Sequence, residues 1–318
     1  MPRGESFHRT VTRMASVSPG RAWLGFWLLT LIWGSSFLFI RIGVEELSTF
    51  QLVFIRTAIA AVGLNLVLVF RGQRLPTDHA GIRDVIFLGV VNTVLPFALI
   101  TWGEKSIESG LAALLQATSA LFTLVVAHFT FADERITPRK VLGLLFGFAG
   151  VVVLASRSLG DDGPSAGAGR LLGQVAIVGA SFCYAVGGTY SRRAMQQHLS
   201  PFVVAAGTMT VTAVLTGLLM YLVPFAGGAP PTALTALRPS VLAAVITLGL
   251  LNTFVAYLIF YSVIETLGAA RASMVTYAIP AVGLALGTAF LDEPFDQRLM
   301  AGAVMIVGSI GIVNLPRR

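Results

Sequence analysis

Apolar residues along this chain come in runs of about 20, separated by short polar or Gly/Pro-rich breaks, with neither strand alternation nor the narrow stripe of a soluble surface helix. A run of about 20 apolar residues is long enough to cross a ~30 Å hydrocarbon core as a helix. Ten are predicted, near 22–41, 50–70, 84–103, 110–131, 138–156, 171–191, 201–223, 240–262, 267–291 and 297–315. The expected fold is therefore an all-α polytopic membrane protein with ten transmembrane helices. The loops between runs are too short for a soluble domain.

The pattern is written twice. Asn92-Thr93 recurs as Asn252-Thr253, and the stretch 88–154 runs against 248–315 at an offset of 160 that falls to 159 at Asp133-Glu134 and Asp292-Glu293. Leu47-Ser48-Thr49-Phe50 aligns with Leu199-Ser200-Pro201-Phe202 before the second run of each half. Between the halves lies a Gly/Ser/Pro/Asp stretch without apolar periodicity. The expected organisation is a tail over 1–21, a first repeat over 22–156, a linker over 157–170, a second repeat over 171–315 and a terminus over 316–318. Five spans per repeat is odd, so the second repeat should enter the bilayer from the opposite face, giving two inverted five-helix repeats.

Composition supports a lipid solvent: 55% of the 318 residues are hydrophobic, only 12% are charged, and mean hydropathy is +0.81. A net charge of +7 would suggest nucleic acid in a soluble protein, but here basic residues sort by side. With the N-terminus cytoplasmic, fifteen Lys/Arg fall inside and six outside (Arg41, Lys105, Arg157, Arg170, Arg238 and Arg298), while Arg56 lies within a span. Both termini are then cytoplasmic and no nucleic-acid partner is expected. The first apolar run continues through Trp33 and Phe37 to Ile40, too long for a signal-peptide core. The single cysteine, Cys183, lies in a span and reads as packing. No HExxH, P-loop, G-x-S-x-G or paired intramembrane carboxylates occur, so neither an enzyme nor a cofactor or metal is expected.

Polar and helix-breaking residues inside spans mark candidate binding positions, because an unpaired polar group is costly in hydrocarbon. Asn92 and Pro96 are one turn apart on the third span, and Asn252 repeats the first of them. Gln116, Ser119 and Thr123 form a stripe on the fourth span; Ser273, Thr276, Tyr277 and Pro280 form one on the ninth. Gln116 and Thr276 are repeat equivalents, so the stripes read as opposite cavity walls, with interhelical hydrogen bonding as the alternative. Trp33 and Phe37 share a face of the first span, as Tyr257 and Tyr261 do of the eighth; Tyr184 lies in the sixth. Such rings suit an aromatic or cationic ligand. Arg56 meets either a substrate anion or helix-end groups by snorkelling. His128 reads as packed and neutral. With no Asp or Glu near mid-span, a buried-carboxylate antiporter is disfavoured, leaving loop acids, His128 or uncoupled transport. Gly143/Gly147 and Gly283/Gly287 mark close packing and a monomer or weak homodimer.

Trp33-Gly34-Ser35-Ser36-Phe37, then Leu47-Ser48-Thr49-Phe50-Gln51 with Arg56 and Ala60-Ala61, resembles the first two helices of EamA-type transporters of the drug/metabolite transporter superfamily. The Asp-Glu pairs ahead of the fifth and tenth spans resemble that family too. The resemblance covers roughly residues 22–315. It implies ten helices in two repeats, a bacterial inner (plasma) membrane location, and transport of small molecules, most often export. Aromatic amino acid and methyl viologen exporters of the family are of similar size. A channel or sensor, and an importer or exchanger of the same fold, remain the alternatives.

Overall fold

The computed structural model describes residues 19–131, 135–156, 164–197, 199–268, 271–272 and 274–314. The expectations for Asp133-Glu134, Ser273, most of the N-terminal tail, the first half of the linker and the C-terminus lie outside the described residues. The described residues form helices and connections with no strand. In chain order they are α1 (Pro19–Gly43), α2 (Thr49–Phe70), α3 (His79–Gly103), α4 (Ser109–Thr130), α5 (Pro138–Ala155), α6 (Pro164–Gln197), α7 (Pro201–Leu222), α8 (Pro239–Leu267), α9 (Val275–Leu291) and α10 (Gln297–Asn314). Among the described residues eight helices are long and apolar enough to cross a membrane. Val275–Leu291 and Gln297–Val313 are apolar but shorter.

Local chemistry sets the helix starts. Ser48 and Ser200, aligned in the two halves, each cap the next helix by accepting a backbone N–H at 3.3 Å, from Gln51 and Val203. Thr137 and Asp78 do the same for Lys140 and Gly81. The sixth helix runs from Pro164, within the segment expected as linker. Its Pro at the first helical turn costs no internal hydrogen bond, and Gly and Ser are tolerated at a helix start.

Helix pairing follows the sequence duplication. Helix α1 packs on α8 and α9, as α6 packs on α3 and α4; α2 packs on α8 as α7 packs on α3; and α2–α7, α4–α9 and α5–α10 pair across the halves. Exchanging the halves maps this set of pairs onto itself. The correspondence reaches single residues. A methyl added to Gly249 on α8 would meet Ile59 Cβ at 2.8 Å and the Arg56 carbonyl at 3.1 Å. One added to Gly89 on α3 would meet Val211 Cγ1 at 2.6 Å and the Thr208 carbonyl at 3.5 Å. Gly249 and Gly89 are 160 positions apart, Ile59 and Val211 are 152 apart, and so are Arg56 and Thr208. Small residues let backbones approach closely where lipid gives no hydrophobic drive for helix association.

The two small-residue motifs are used within the chain. Gly143 and Gly147 on α5 face Val313 and Ser309 of α10, while Gly283 and Gly287 on α9 face Ala113 and Ser109 of α4. His128 holds the α4–α5 connection, its Nδ1 accepting the Ile136 N–H at 3.2 Å.

Candidate functional site

Helices α3 and α8 both change their winding at the repeated dipeptide. Val90–Val94 and Leu250–Val255 are π-helical turns, and each contains its Asn-Thr pair. The Leu95 N–H reaches back five residues to the Val90 carbonyl, and the Ala256 N–H reaches the Leu251 carbonyl. Pro96 is the counterpart of Ala256, so proline alone does not make the turn. In α8 the Thr253 hydroxyl donates to the Leu248 carbonyl at 2.8 Å, taking up a group five residues back. Such turns insert one extra residue into a helix and are frequent at functional positions.

Each asparagine meets the first helix of the other half. Asn252 Nδ2 donates to the Ile32 carbonyl of α1, with Ser35 Oγ at 2.9 Å and Ser36 Oγ at 3.2 Å. Asn92 lies against Gly187 of α6, where an added methyl would sit 2.5 Å from its Cβ. Asn252 thus clamps α8 to α1 through its amide nitrogen, while its Oδ1 has no bonded partner.

Arg56 does not snorkel. Eight residues from the α2 N-cap it is 7% exposed, and it reaches into the other half, where Nε donates to Thr253 Oγ1 at 2.8 Å. Its guanidinium carbon stands 4.1 Å from the Phe97 ring centroid on α3. Tyr184 on α6, Tyr257 on α8 and Glu104 after α3 lie within its electrostatic reach. No carboxylate pairs with Arg56 among the described residues. The counterpart of Arg56 in the second half is Thr208, whose hydroxyl donates to its own helix at Ala205, and the Thr93 hydroxyl has no bonded partner. The duplicated scaffold is therefore charged on one side only.

The remaining candidates fall into separate places. Tyr277 and Thr123 line one cavity of about 290 Å³ with Gly188, Thr189, Arg192 and Phe131. Gln116 and Thr276 are not among its lining residues. The continuous stripe expected on the fourth span is corrected, because α4 breaks at Ala117–Thr118, between Gln116 and Ser119. There the N–H groups of Ala117 and Thr118 bond three residues back, and Ser181 of α6 donates to the Leu115 and Gln116 carbonyls at 3.3 Å. Ser119 gives its carbonyl to Thr123 Oγ1 at 2.7 Å. Trp33 packs on Phe260 at 5.1 Å between centroids, and Phe37 is buried opposite Gly283. Tyr261 is buried against Phe202 and Tyr257. Pro280 is buried within α9. Thus Arg56 and Thr253 meet at the turn of α8, with Tyr184 and Tyr257 within electrostatic reach of the arginine and Tyr261 packed on Tyr257, while Trp33 belongs to another cluster.

At the end where α1 meets α2, the two halves are tied by polar groups. Glu46 accepts from the Arg238 backbone N–H at 2.9 Å and from its guanidinium, which also bonds Glu45. Arg238 holds the Glu46 carboxyl below the usual carboxylate range, chiefly through that side-chain hydrogen bond. Gln51 and Thr232 exchange two bonds, with the Thr232 N–H at 2.9 Å from Gln51 Oε1. Glu293, from the α9–α10 connection, accepts the Ser109 and Gly110 N–H groups at 2.6 and 2.8 Å, capping α4. At the opposite end Asp84 of α3 accepts from Tyr190 of α6 at 2.7 Å, and Ser200 donates to Gln73 at 3.0 Å.

A helical membrane bundle with a cross-half charged site and ties at both ends has the build of a small-molecule transporter. Comparison with known proteins agrees. The EamA-like transporter family matches residues 21–156 and again 171–315, and the chain belongs to that family. An "Uncharacterized transporter" of Archaeoglobus fulgidus is 28% identical over 295 residues, covering 92% of this chain and 98% of that protein. The inner membrane transporter YedA of Escherichia coli K12 is 27% identical, covering 90% and 88%. A "Probable amino-acid metabolite efflux pump" of the same organism is 25% identical over 304 residues, covering 90% and 92%. A solved structure described only as "Crystal structure of protein" shares the fold at a TM-score of 0.65 and 21% identity, covering 93% of this chain and 96% of the other.

Proposed function

We propose that this chain is a secondary transporter that exports small metabolites across a bacterial inner membrane by alternating access, with amino acids and related amphipathic compounds, aromatic ones favoured, as cargo. Its halves are inverted repeats that rock about the π turns of α3 and α8, and the end carrying the α2–α3 connection faces the cytoplasm. The observation that carries the reading is Arg56, a buried cation that no carboxylate pairs with among the described residues, on the Phe97 ring and within electrostatic reach of Tyr184 and Tyr257 at the interface of the halves. A free amino acid offers the anion that this arginine lacks, and an aromatic side chain would meet the rings. The sidedness rests on the fifteen-to-six split of basic residues. The efflux pump named above supports the substrate class and direction.

The test is uptake into everted membrane vesicles across a panel of amino acids and organic cations, with and without a proton gradient. Aromatic amino acids are expected to be taken up above the background of vesicles lacking the protein. Y257A and Y277A should each lower that uptake about 10-fold, near 1.4 kcal/mol, at unchanged membrane abundance. Normal uptake by both variants would remove these tyrosines from the transport path.

A further inference from the structure

Glu104 follows α3 directly and has the sequence context of a loop residue, between Trp102 and Lys105, both exposed. Its side chain is nevertheless fully buried, at 0% exposure, and neither carboxylate oxygen has a hydrogen-bond partner. Two neutral hydroxyls nearby in sequence, Thr101 Oγ1 one turn back on α3 and Ser109 Oγ at the start of α4, are likewise buried without partners. The charged groups facing Glu104 come from three elements: Arg41 of α1, Arg56 of α2 and Glu293 of the α9–α10 connection. Arg41 donates to the Glu104 backbone carbonyl, and Arg56 is engaged with Thr253. Glu293 is a second carboxylate and repels a charge on the first.

An ionised carboxylate in such a place loses its hydration and gains no donor in return, a cost that proteins avoid by keeping the group protonated. We propose that Glu104 is a proton-binding site, occupied in this closed arrangement and emptied when the α1–α2 end of the bundle opens and admits water. The step is a simple protonation: the carboxylate takes one proton from water at that end and becomes a neutral acid. Burial first, and the Glu293 charge second, push the Glu104 carboxyl well above the usual carboxylate range, against the opposing pull of Arg41 and Arg56. A cavity of about 530 Å³, large enough to hold water, is lined by Ile107, Glu108, Pro294 and Asp296, residues within four positions of Glu104 or Glu293 in the chain. Closure of this end would then be favoured by acid on its side of the membrane. The site goes beyond the transport reading, and its occupancy is measurable without any cargo.

The experiment is infrared spectroscopy of the full-length protein in lipid nanodiscs, titrated from pH 5 to 9, on the wild type, E104Q and E293Q. The expected result is a protonated-carboxyl C=O band that persists at pH 7 in the wild type and in E293Q and is lost in E104Q. A band unchanged in E104Q, or no band at pH 7 in the wild type, overturns the proposal. Thermal unfolding supplies a second reading. With the folded pKa raised above the ordinary glutamate value of about 4.3, the contribution of Glu104 is fully present below that value and is lost as pH rises through the folded one. The wild type should therefore lose Tm over that rise, and E104Q should lose less. Equal pH dependence in both also overturns the proposal.

Discussion

Replacing Arg56 by glutamine is expected to lower transport of carboxylate-bearing substrates at least about 100-fold while leaving the protein in the membrane. A hydrogen bond to a charged group contributes about 1.5–3 kcal/mol, and an arginine offers a carboxylate two, so a loss near 2.7 kcal/mol is a conservative figure. Glutamine still has a donor for Thr253, so the tie between α2 and the α8 turn has a route to survive. Removing a buried positive charge also relieves its desolvation, which argues against gross destabilisation. Arg56→Lys should be intermediate, because a lysine keeps the charge but has no second fork to engage Thr253 and a ligand together. The check is uptake per unit of membrane protein for matched substrates with and without a carboxylate. Equal loss for both kinds would make Arg56 a structural residue.

The second large effect is expected at the opposite repeat. Glu293→Ala should destabilise the protein by about 2–3 kcal/mol, seen as a lower Tm in nanodiscs. Its carboxylate accepts the first two N–H groups of α4 and lies over Gly287 of α9. The group caps a helix start and also closes the contact between α4 and α9, and a lost cap alone costs about 1 kcal/mol. The glycine matters here, since a methyl at Gly287 would clash with Glu293 Oε2. Glu293→Gln should recover part of the loss through its remaining carbonyl oxygen. An unchanged Tm in Glu293→Ala would show that water replaces the cap without cost.

Much of the fold was legible because hydrophobic length is a direct physical readout of the bilayer. The helices, their order and the duplication follow from apolar runs and a constant offset, with eight of the described helices long enough to span a membrane. What the pattern hides is winding inside a span. The π turns at Asn92 and Asn252 and the break of α4 at Ala117–Thr118 change which face a residue presents, so stripes counted at 3.6 residues per turn put Gln116 and Thr123 together where the structure parts them. The repeated Asn-Thr pair coincides with both π turns, a change of winding that the residue pattern alone does not reveal. Burial of Glu104 was illegible for a different cause: a charged residue just past the end of a span reads as solvated, and only tertiary packing shuts it from water. Arg56 was recognised as intramembrane, yet its partner, 197 positions away on the other half, leaves no local signal.

The central claim is that the two halves expose one interior site alternately to each side, and counterflow in proteoliposomes tests it most directly. Liposomes holding the purified protein are preloaded with an unlabelled aromatic amino acid, and uptake of the labelled compound is followed after dilution. The expected result is a saturable, transient accumulation of label that depends on the internal substrate and is lost with Arg56→Gln. Flux that rises linearly with concentration and ignores the internal substrate would contradict alternating access and describe an open pore.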